Sequence, residues 1–307
     1  MVQKIGFILV LVSAIILTGC STSGRSEPSG RLVFEREEDG NSDIYVMNID
    51  GSGMTRLTDD PGWDGVPSWS PDGTRIAFAS ERQGAPVIFV MDADGSNQHA
   101  ITDPSYVSLA PVWSPDGSRI AFASTAGYEV LRQGGRQQVE AGFELWLMNP
   151  DGSDPQRLTG YPEDQALYPT WAPDGEQLAY MNIGDAARIL AQEPDETAAP
   201  TVLSEGVDGR HWTPAWSPKG DQIAMMVENE GSKDIWLIQP DGGEAVQITE
   251  TSSSDIDPAW SPDGKHIVFV SDRDGSQLLY IMNVEDRTIR QLVDDDSTYA
   301  QPDWTGN

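Results

Sequence analysis

Residues that suit ligand binding stand a few positions before each of six regularly spaced tryptophans. Aromatic rings beside carboxylates can hold a peptide or a sugar, because rings supply contact area and carboxylates supply charge. Trp63 and Trp212 are the most informative, since the repeat described below requires no tryptophan at either position. The predicted ligand-binding residues are Trp63, Asp64, Tyr106, Ser108, Tyr168, Arg210, His211, Trp212, Asp255, Asp257, Tyr299 and Gln301.

Catalytic signatures are scarce, and we assign no catalytic residue. His99, His211 and His266 fall at unrelated positions of the repeat, whereas a zinc site needs several converging ligands. No Gly-x-Ser-x-Gly nucleophile elbow occurs. The sequence therefore predicts no cofactor. The alternative is a Ca²⁺ ion in a central channel, for which the candidate ligands are Asp64, Asp255, Asp257 and Asp303.

A repeat of about 44 residues must position these side chains. Its tryptophans are separated by 44, 58, 45, 44 and 44 residues; three of the six begin a Trp-Ser-Pro-Asp-Gly string, and two begin the close variants WAPDG and WSPKG. An apolar run such as IAFAS, a second run such as VIFVM, a turn and a short strand follow. Four short strands per unit at this period predict one propeller blade per repeat. The six tryptophans are Trp69, Trp113, Trp171, Trp216, Trp260 and Trp304.

Proline stands two residues before every one of these tryptophans. Because proline cannot donate to a sheet ladder, this pattern predicts the innermost strand, whose free edge faces the channel. In the Ser-Pro-Asp-Gly turns proline fixes φ and glycine accepts positive φ, which gives a tight hairpin. The turn aspartates, Asp72, Asp116, Asp174 and Asp263, are therefore predicted to be structural.

The two chain ends complete one blade between them. Residues 31–58 supply three strands without an innermost one, and the C-terminal AQPDWTGN is an innermost strand with nothing after it. Pairing them removes an open edge. The prediction is an all-β, six-bladed β-propeller of four-stranded antiparallel blades over residues 31–307. The ring is closed by the C-terminal strand on the N-terminal strands.

The string WSPDGxxIAF, followed by IYVMNxDG and LT, resembles the repeat of the TolB-type β-propeller family. The resemblance covers residues 31–307 in six copies and lacks the α/β domain that precedes the propeller in TolB. It implies an envelope protein that binds a partner. Relatives of this repeat also occur in peptidase accessory domains and in carbohydrate-active enzymes.

The N-terminus predicts export and lipidation. Residues 5–17 are apolar but span roughly 20 Å, too short for a membrane core of roughly 30 Å, so they indicate a signal peptide. Leu-Thr-Gly-Cys then resembles a bacterial lipobox in which Cys20 is acylated. We expect a signal peptide over residues 1–19 and a flexible tether over 20–30. The anchor would lie on the outer membrane facing the periplasm in a Gram-negative host, and otherwise on the outer face of the cell membrane.

Charge limits the partners. Lys and Arg number 19 against 49 Asp and Glu, a net charge of −30, which argues against nucleic acid and against electrostatic docking on anionic membranes. We expect a monomer. Two functions remain open: a propeller that captures a protein or peptide partner, or an enzyme or lectin-like module for oligosaccharides or peptides. An insertion of about thirteen residues within 125–142 carries Arg132 and Arg136 on the same face as the candidate site.

Overall fold

The computed structural model describes residues 28–126, 142–160, 165–184, 186–194 and 199–306, with the backbone of a hairpin at 131–133 and 136–138. Within these ranges every helix-or-strand element is a β-strand. The strands form six four-stranded antiparallel sheets and one two-stranded hairpin. No helix in the described part of the chain is long and apolar enough to cross a membrane.

Each sheet is one blade, whose strands are called A to D from the channel outward. Blade 1 contains β4 (Asp64–Trp69), β5 (Arg75–Ser80), β6 (Val87–Asp92) and β7 (His99–Ala100). Blade 2 contains β8 (Ser108–Trp113), β9 (Ile120–Ser124), β12 (Glu144–Met148) and β13 (Gln156–Arg157). Blade 3 contains β14 (Gln165–Trp171), β15 (Leu178–Ile183), β16 (Ala187–Gln192) and β17 (Thr201–Val202).

The remaining blades have the same order. Blade 4 contains β18 (Arg210–Trp216), β19 (Ile223–Asn229), β20 (Ser232–Ile238) and β21 (Val246–Gln247). Blade 5 contains β22 (Asp255–Trp260), β23 (His266–Ser271), β24 (Leu278–Asn283) and β25 (Ile289–Gln291). Blade 6 contains β26 (Thr298–Thr305), β1 (Arg31–Glu38), β2 (Asn41–Asn48) and β3 (Thr55–Arg56). Each A strand contacts the A strands of both neighbouring blades, which makes a closed ring.

Strands B and C supply the core because both faces of each blade are covered by neighbouring blades. Such strands read as continuous apolar runs rather than as an alternation. All five residues of β9 are buried, for example, as are all six of β23. The prediction of an all-β, six-bladed propeller is confirmed by the sheet topology.

The Ser-Pro-Asp-Gly hairpins have the structural role that was predicted. The Asp72 carboxylate accepts the Ser70 hydroxyl at 2.6 Å and the Thr74 amide at 3.1 Å, and Gly73 has a φ of 67°. These hydrogen bonds lower the pKa of Asp72 to about 2. The A–B hairpins lie on one face of the ring, which we call the hairpin face. The B–C and D–A loops lie on the other, which we call the funnel face.

The C-terminal strand closes the ring, as predicted. β1 pairs with β26 in an antiparallel register that includes Leu32 opposite Trp304. The Trp304 indole N–H donates to the Ser29 carbonyl at 3.1 Å, and the Asp303 carboxylate accepts the Trp69 amide of blade 1 at 2.7 Å. Blade 6 is thus tied both to its own N-terminal strands and to its neighbour.

The insertion between strands B and C of blade 2 forms a separate hairpin. β10 (Leu131–Gln133) pairs with β11 (Arg136–Gln138), with Gln133 opposite Arg136. The predicted residues Arg132 and Arg136 stand on these two strands, for which the structure describes the backbone. Cys20 lies outside the described residues.

Candidate functional site

A β-bulge interrupts the pairing of every A strand just before its proline. In blade 1, for example, the register shifts between Gly65 and Ser68, so that Val66 and Pro67 have no ladder partner. The residue before each proline has positive φ, which is strained for any residue with a side chain and most of all for β-branched ones. These six residues, with their φ angles, are Val66 (50°), Ala110 (51°), Tyr168 (50°), Thr213 (40°), Asp257 (52°) and Gln301 (47°).

The bulge sorts the sequence candidates into two groups. Residues five positions before the tryptophan are buried inside the blades, and residues three positions before it line the central channel. The channel contains a cavity of about 390 Å³ enclosed by all six A strands. The buried group is Asp64, Ser108, Ala166, His211, Asp255 and Tyr299. The channel group is the set of six positive-φ residues.

The two buried aspartates form ion pairs within their blades. Asp64 is 0% exposed and pairs with the Arg82 guanidinium at 2.7 Å; Asp255 is 0% exposed and pairs with Arg273 at 2.9 Å. Each arginine also lies over aromatic rings of its own blade, with Arg82 at 4.6 Å from the Phe89 centroid. Each of these carboxylates therefore contacts a guanidinium inside its blade, and neither lines the channel cavity.

His211 and Ser204 form the pair of the described residues that most resembles a base and its nucleophile. His211 Nδ1 lies 2.7 Å from the Ser204 hydroxyl, but both residues are 0% exposed. The Ser204 oxygen accepts the Ile189 amide, as the Thr58 oxygen accepts the Ile44 amide in blade 6. Burial, and then the nearby Arg188, lower the pKa of His211 to about 4, so it is neutral at pH 7. Ser204 follows strand D of blade 3 and His211 stands on strand A of blade 4, so the pair is buried between two blades.

Asp257 is the carboxylate that the bulge places in the channel beside Tyr168 and Gln301. Its Oδ2 accepts a hydrogen bond from the backbone N–H of Gln301 at 3.2 Å. Burial among the A strands raises the pKa of Asp257 to about 6, although that hydrogen bond and Lys233 act in the opposite direction. Burial also raises the pKa of Tyr168 to about 12, and the nearby Asp257 and Glu35 add to the shift. The channel therefore holds a carboxylate that lacks full compensation.

Glu35 is a carboxylate close to the channel residues Val66 and Asp257, and it was not among the predicted site residues. Its Oε1 accepts the Trp63 indole N–H at 2.8 Å. A Cβ at Gly65 would overlap both the Glu35 carboxylate and the Trp63 ring, so the close approach requires glycine there. Burial raises the pKa of Glu35, hydrogen bonds from Trp63, Ser42 and Val66 oppose the shift, and Asp257 adds to it. The two carboxylates are thus close enough for the charge of Asp257 to raise the pKa of Glu35.

A signal for Glu35 does exist in the sequence. The cross-strand pairs Phe34 with Tyr45 and Phe78 with Phe89 align the B strands of the blades. Glu35 is then the charged member of a column that is otherwise apolar. The other members of this column are Ala79, Ala123, Met181, Met226 and Val270.

Of the remaining predicted residues, Asp303 lines the channel cavity, whereas Trp212, Arg210 and Tyr106 do not. Trp212 is half-buried, with the Arg210 guanidinium 4.8 Å from its ring centroid. Tyr106 is partly exposed in the loop before β8. Asp303 holds the Trp69 amide, and burial raises its pKa. Among the described residues, no group of three or more His, Cys, Asp and Glu side chains is placed to hold a metal ion.

Six four-stranded blades around a lined channel define a β-propeller. The sequence family described as the TolB beta propeller domain matches residues 16–131 and 128–307. Because these matches cover more than half of the chain, the chain belongs to this family. No curated protein matches the sequence.

Solved structures with the same fold include two TolB proteins. TolB from Acinetobacter baumannii is 20% identical with a TM-score of 0.74, over 90% of this chain and 66% of that one, so this chain spans just under two thirds of its length. A putative TolB from Agrobacterium tumefaciens is 21% identical with a TM-score of 0.68, over 91% and 99%. An oligogalacturonate lyase from Vibrio parahaemolyticus is 15% identical with a TM-score of 0.58, over 87% and 75%. These similarities show the fold alone.

Proposed function

We propose that this chain is a binding propeller that captures a protein or peptide partner through its funnel face, with a Lys or Arg side chain of the partner at the channel mouth. The observation that carries the proposal is Asp257, a carboxylate held in the channel with a pKa raised to about 6. A buried, poorly compensated charge costs stability, and such groups are concentrated at functional sites. A cation from a partner would supply the missing compensation.

The surroundings of Asp257 support a peptide-like ligand. Glu35 adds a second carboxylate. The half-buried ring of Trp63 is hydrogen-bonded to Glu35, and the half-buried ring of Tyr168 lies near Asp257 and Glu35. Aromatic anchors near the centre of an interface typically contribute most of the binding energy. The net charge of −30 would also steer a basic segment toward the protein. The proposed binding requires no cofactor.

Variants on the two faces test this proposal. Tyr168→Ala combined with Asp257→Asn removes an aromatic anchor and the channel charge, and Trp212→Ala removes a second ring. We expect each to lower capture of the partner from a membrane extract by about thirtyfold or more in affinity. Asp72→Asn and Asp116→Asn change the hairpin face and should leave capture unchanged. Loss of capture in these hairpin-face variants, with normal capture in the channel variants, would assign binding to the other face.

Lipid anchoring at the cell envelope belongs to the same proposal. The supporting features are the signal-peptide pattern of residues 1–19, the lipobox at Cys20 and the tether of residues 20–30. Membership of the TolB propeller family fits an envelope location. Ser21 follows the cysteine instead of the aspartate that resembles an inner-membrane retention signal, which favours the outer membrane in a Gram-negative host.

Cys20→Ser should release the protein from membranes. The substitution removes the thiol that would be acylated, and the described propeller contains no helix able to span a membrane. Fractionation of the producing cells should therefore move the protein from the membrane pellet to the soluble fraction. Unchanged sedimentation with the membranes would contradict a lipid anchor at this residue.

A further inference from the structure

A buried carboxylate and an arginine form a pair in the outer half of blade 6. Tyr45 on strand C lies opposite Arg56 on strand D. The Arg56 guanidinium donates to Asp43 Oδ2 at 2.5 Å and to the Thr58 carbonyl at 2.7 Å. Asp43 Oδ1 accepts the Thr58 hydroxyl at 3.2 Å. Burial raises the pKa of Asp43, and Arg56 offsets part of that shift.

Blade 4 repeats this arrangement without the arginine. Trp236 lies opposite Gln247 in the register that Tyr45 and Arg56 have in blade 6. Asp234 is 6% exposed, and its Oδ1 lies 3.4 Å from the Thr249 hydroxyl, the counterpart of Thr58. Its Oδ2 accepts the Ser232 hydroxyl at 2.5 Å. Among the described residues Asp234 forms no ion pair.

Blade 2 has a carboxylate and an arginine at the same two positions as blade 6. Glu144 takes the place of Asp43, and Arg157 lies opposite Trp146. In blades 1 and 5 the carboxylate is replaced by Val87 and Leu278, so no cation is needed there. Blade 4 therefore keeps the acid of the pair while glutamine replaces the cation.

An open pocket of about 510 Å³ lies where the arginine would stand. Its walls include Asp234, Trp236 and Gln247, and Glu230 and Glu250 add two more carboxylates. None of the described residues that line it is lysine or arginine. The pocket lies between the B–C hairpin and the D–A loop of blade 4, so it opens on the funnel face. It shares no lining residue with the channel cavity.

We infer that this blade 4 pocket binds the guanidinium group of an arginine side chain from a protein partner. Arg56 shows within the same chain which group such a pocket accommodates. A guanidinium presents donors in a planar fork and stacks on aromatic rings, so it suits a carboxylate beside an indole better than an ammonium does. The site is separate from the channel mouth, and its test requires no partner.

A titration of the full chain with N-acetyl-arginine methylamide tests the inference. The NMR signal of the Trp236 indole N–H should show a saturable shift. The affinity for the probe should fall as the salt concentration is raised. Gln247→Arg should fill the pocket as Arg56 fills its own, lowering the affinity at least tenfold and raising the melting temperature. No saturable shift in the wild-type protein, or unchanged binding in Gln247→Arg, would overturn the inference.

A second variant and a second probe show whether the binding is specific for this pocket and for a guanidinium. Arg56→Gln should open the equivalent pocket in blade 6, so that the probe then also shifts resonances of Tyr45. Absence of this second site in a folded variant would contradict the register argument. N-acetyl-lysine methylamide should bind more weakly than the arginine probe. Tighter binding of the lysine probe would overturn the assignment to an arginine side chain.

Discussion

Removal of residues 301–307 is expected to lower the free energy of unfolding by more than about 5 kcal/mol, the largest effect that we predict. Trp304 is 6% exposed, and loss of a buried tryptophan alone costs about 3–5 kcal/mol. β1 also loses its partners opposite Arg31, Leu32 and Val33. The Trp69 amide of blade 1 loses the Asp303 carboxylate.

Thermal unfolding followed by circular dichroism measures this effect. For a chain of this size we expect the melting temperature to fall by more than about 10 °C. Ile289→Ala is the matched control, because that side chain is 37% exposed on an outer strand and should change the melting temperature little. An unchanged melting temperature after truncation would contradict closure of the ring by β26.

Asp257→Asn is expected to stabilise the protein at neutral pH while weakening partner binding. The pKa of Asp257 is raised from 3.8 to about 6, so above pH 6 the folded state carries the cost of a charge that the unfolded state hydrates freely. The gain for the uncharged variant should be about 2 kcal/mol at pH 8, after a reduction for water in the channel. The Asn side-chain oxygen can still accept a hydrogen bond from the backbone N–H of Gln301. The affinity for a cationic partner should fall by about thirtyfold.

The pH dependence gives the sign of this effect. At about pH 3, below both the unfolded pKa of 3.8 and the folded pKa of about 6, the carboxyl group is mostly protonated in both states, so wild type and variant should differ little in stability. Between pH 4 and 6 the folded wild-type protein binds more protons than the unfolded chain, so this group makes stability fall as pH rises. Urea unfolding of both proteins at pH 3 and pH 8 measures the difference. A variant that is less stable than wild type at pH 8 would show that the charge stabilises the channel.

Most of the fold was predictable because the repeat is local. The prolines mark strand A in each unit, and Trp-Ser-Pro-Asp-Gly or a close variant marks its hairpin in five of the six. The missing strand at one end matches the extra strand at the other. The first two features depend on residues close together in the chain, and the third on comparing its two ends with the repeat. Blade number and ring closure therefore follow from counting.

The division of the candidate site was not predictable in the same way. A strand alternates its side chains, and one bulge reverses which of them face the channel. Asp255 and Asp257 share a strand and a residue type, yet the first is paired with Arg273 and the second lies in the channel. The sequence gives no mark for the bulge beyond the proline that follows it.

Glu35 was missed for another reason. It lies 28 positions before Trp63, and its carboxylate accepts a hydrogen bond from the indole N–H of that residue. It also stands on strand B rather than on strand A. Its position at the channel depends on the absence of a side chain at Gly65 in the next blade. Contacts of this kind require the ring to be assembled before they can be recognised.

A photo-crosslinking experiment tests the binding proposal most directly. p-Azidophenylalanine in place of Tyr168 keeps the ring at the channel mouth, and the same residue in place of Asp116 serves as the hairpin-face control. After irradiation in an envelope extract, mass spectrometry of the crosslinked peptides should show a partner segment containing Lys or Arg at position 168 and none at position 116. Partner crosslinks confined to position 116 would contradict capture through the funnel face.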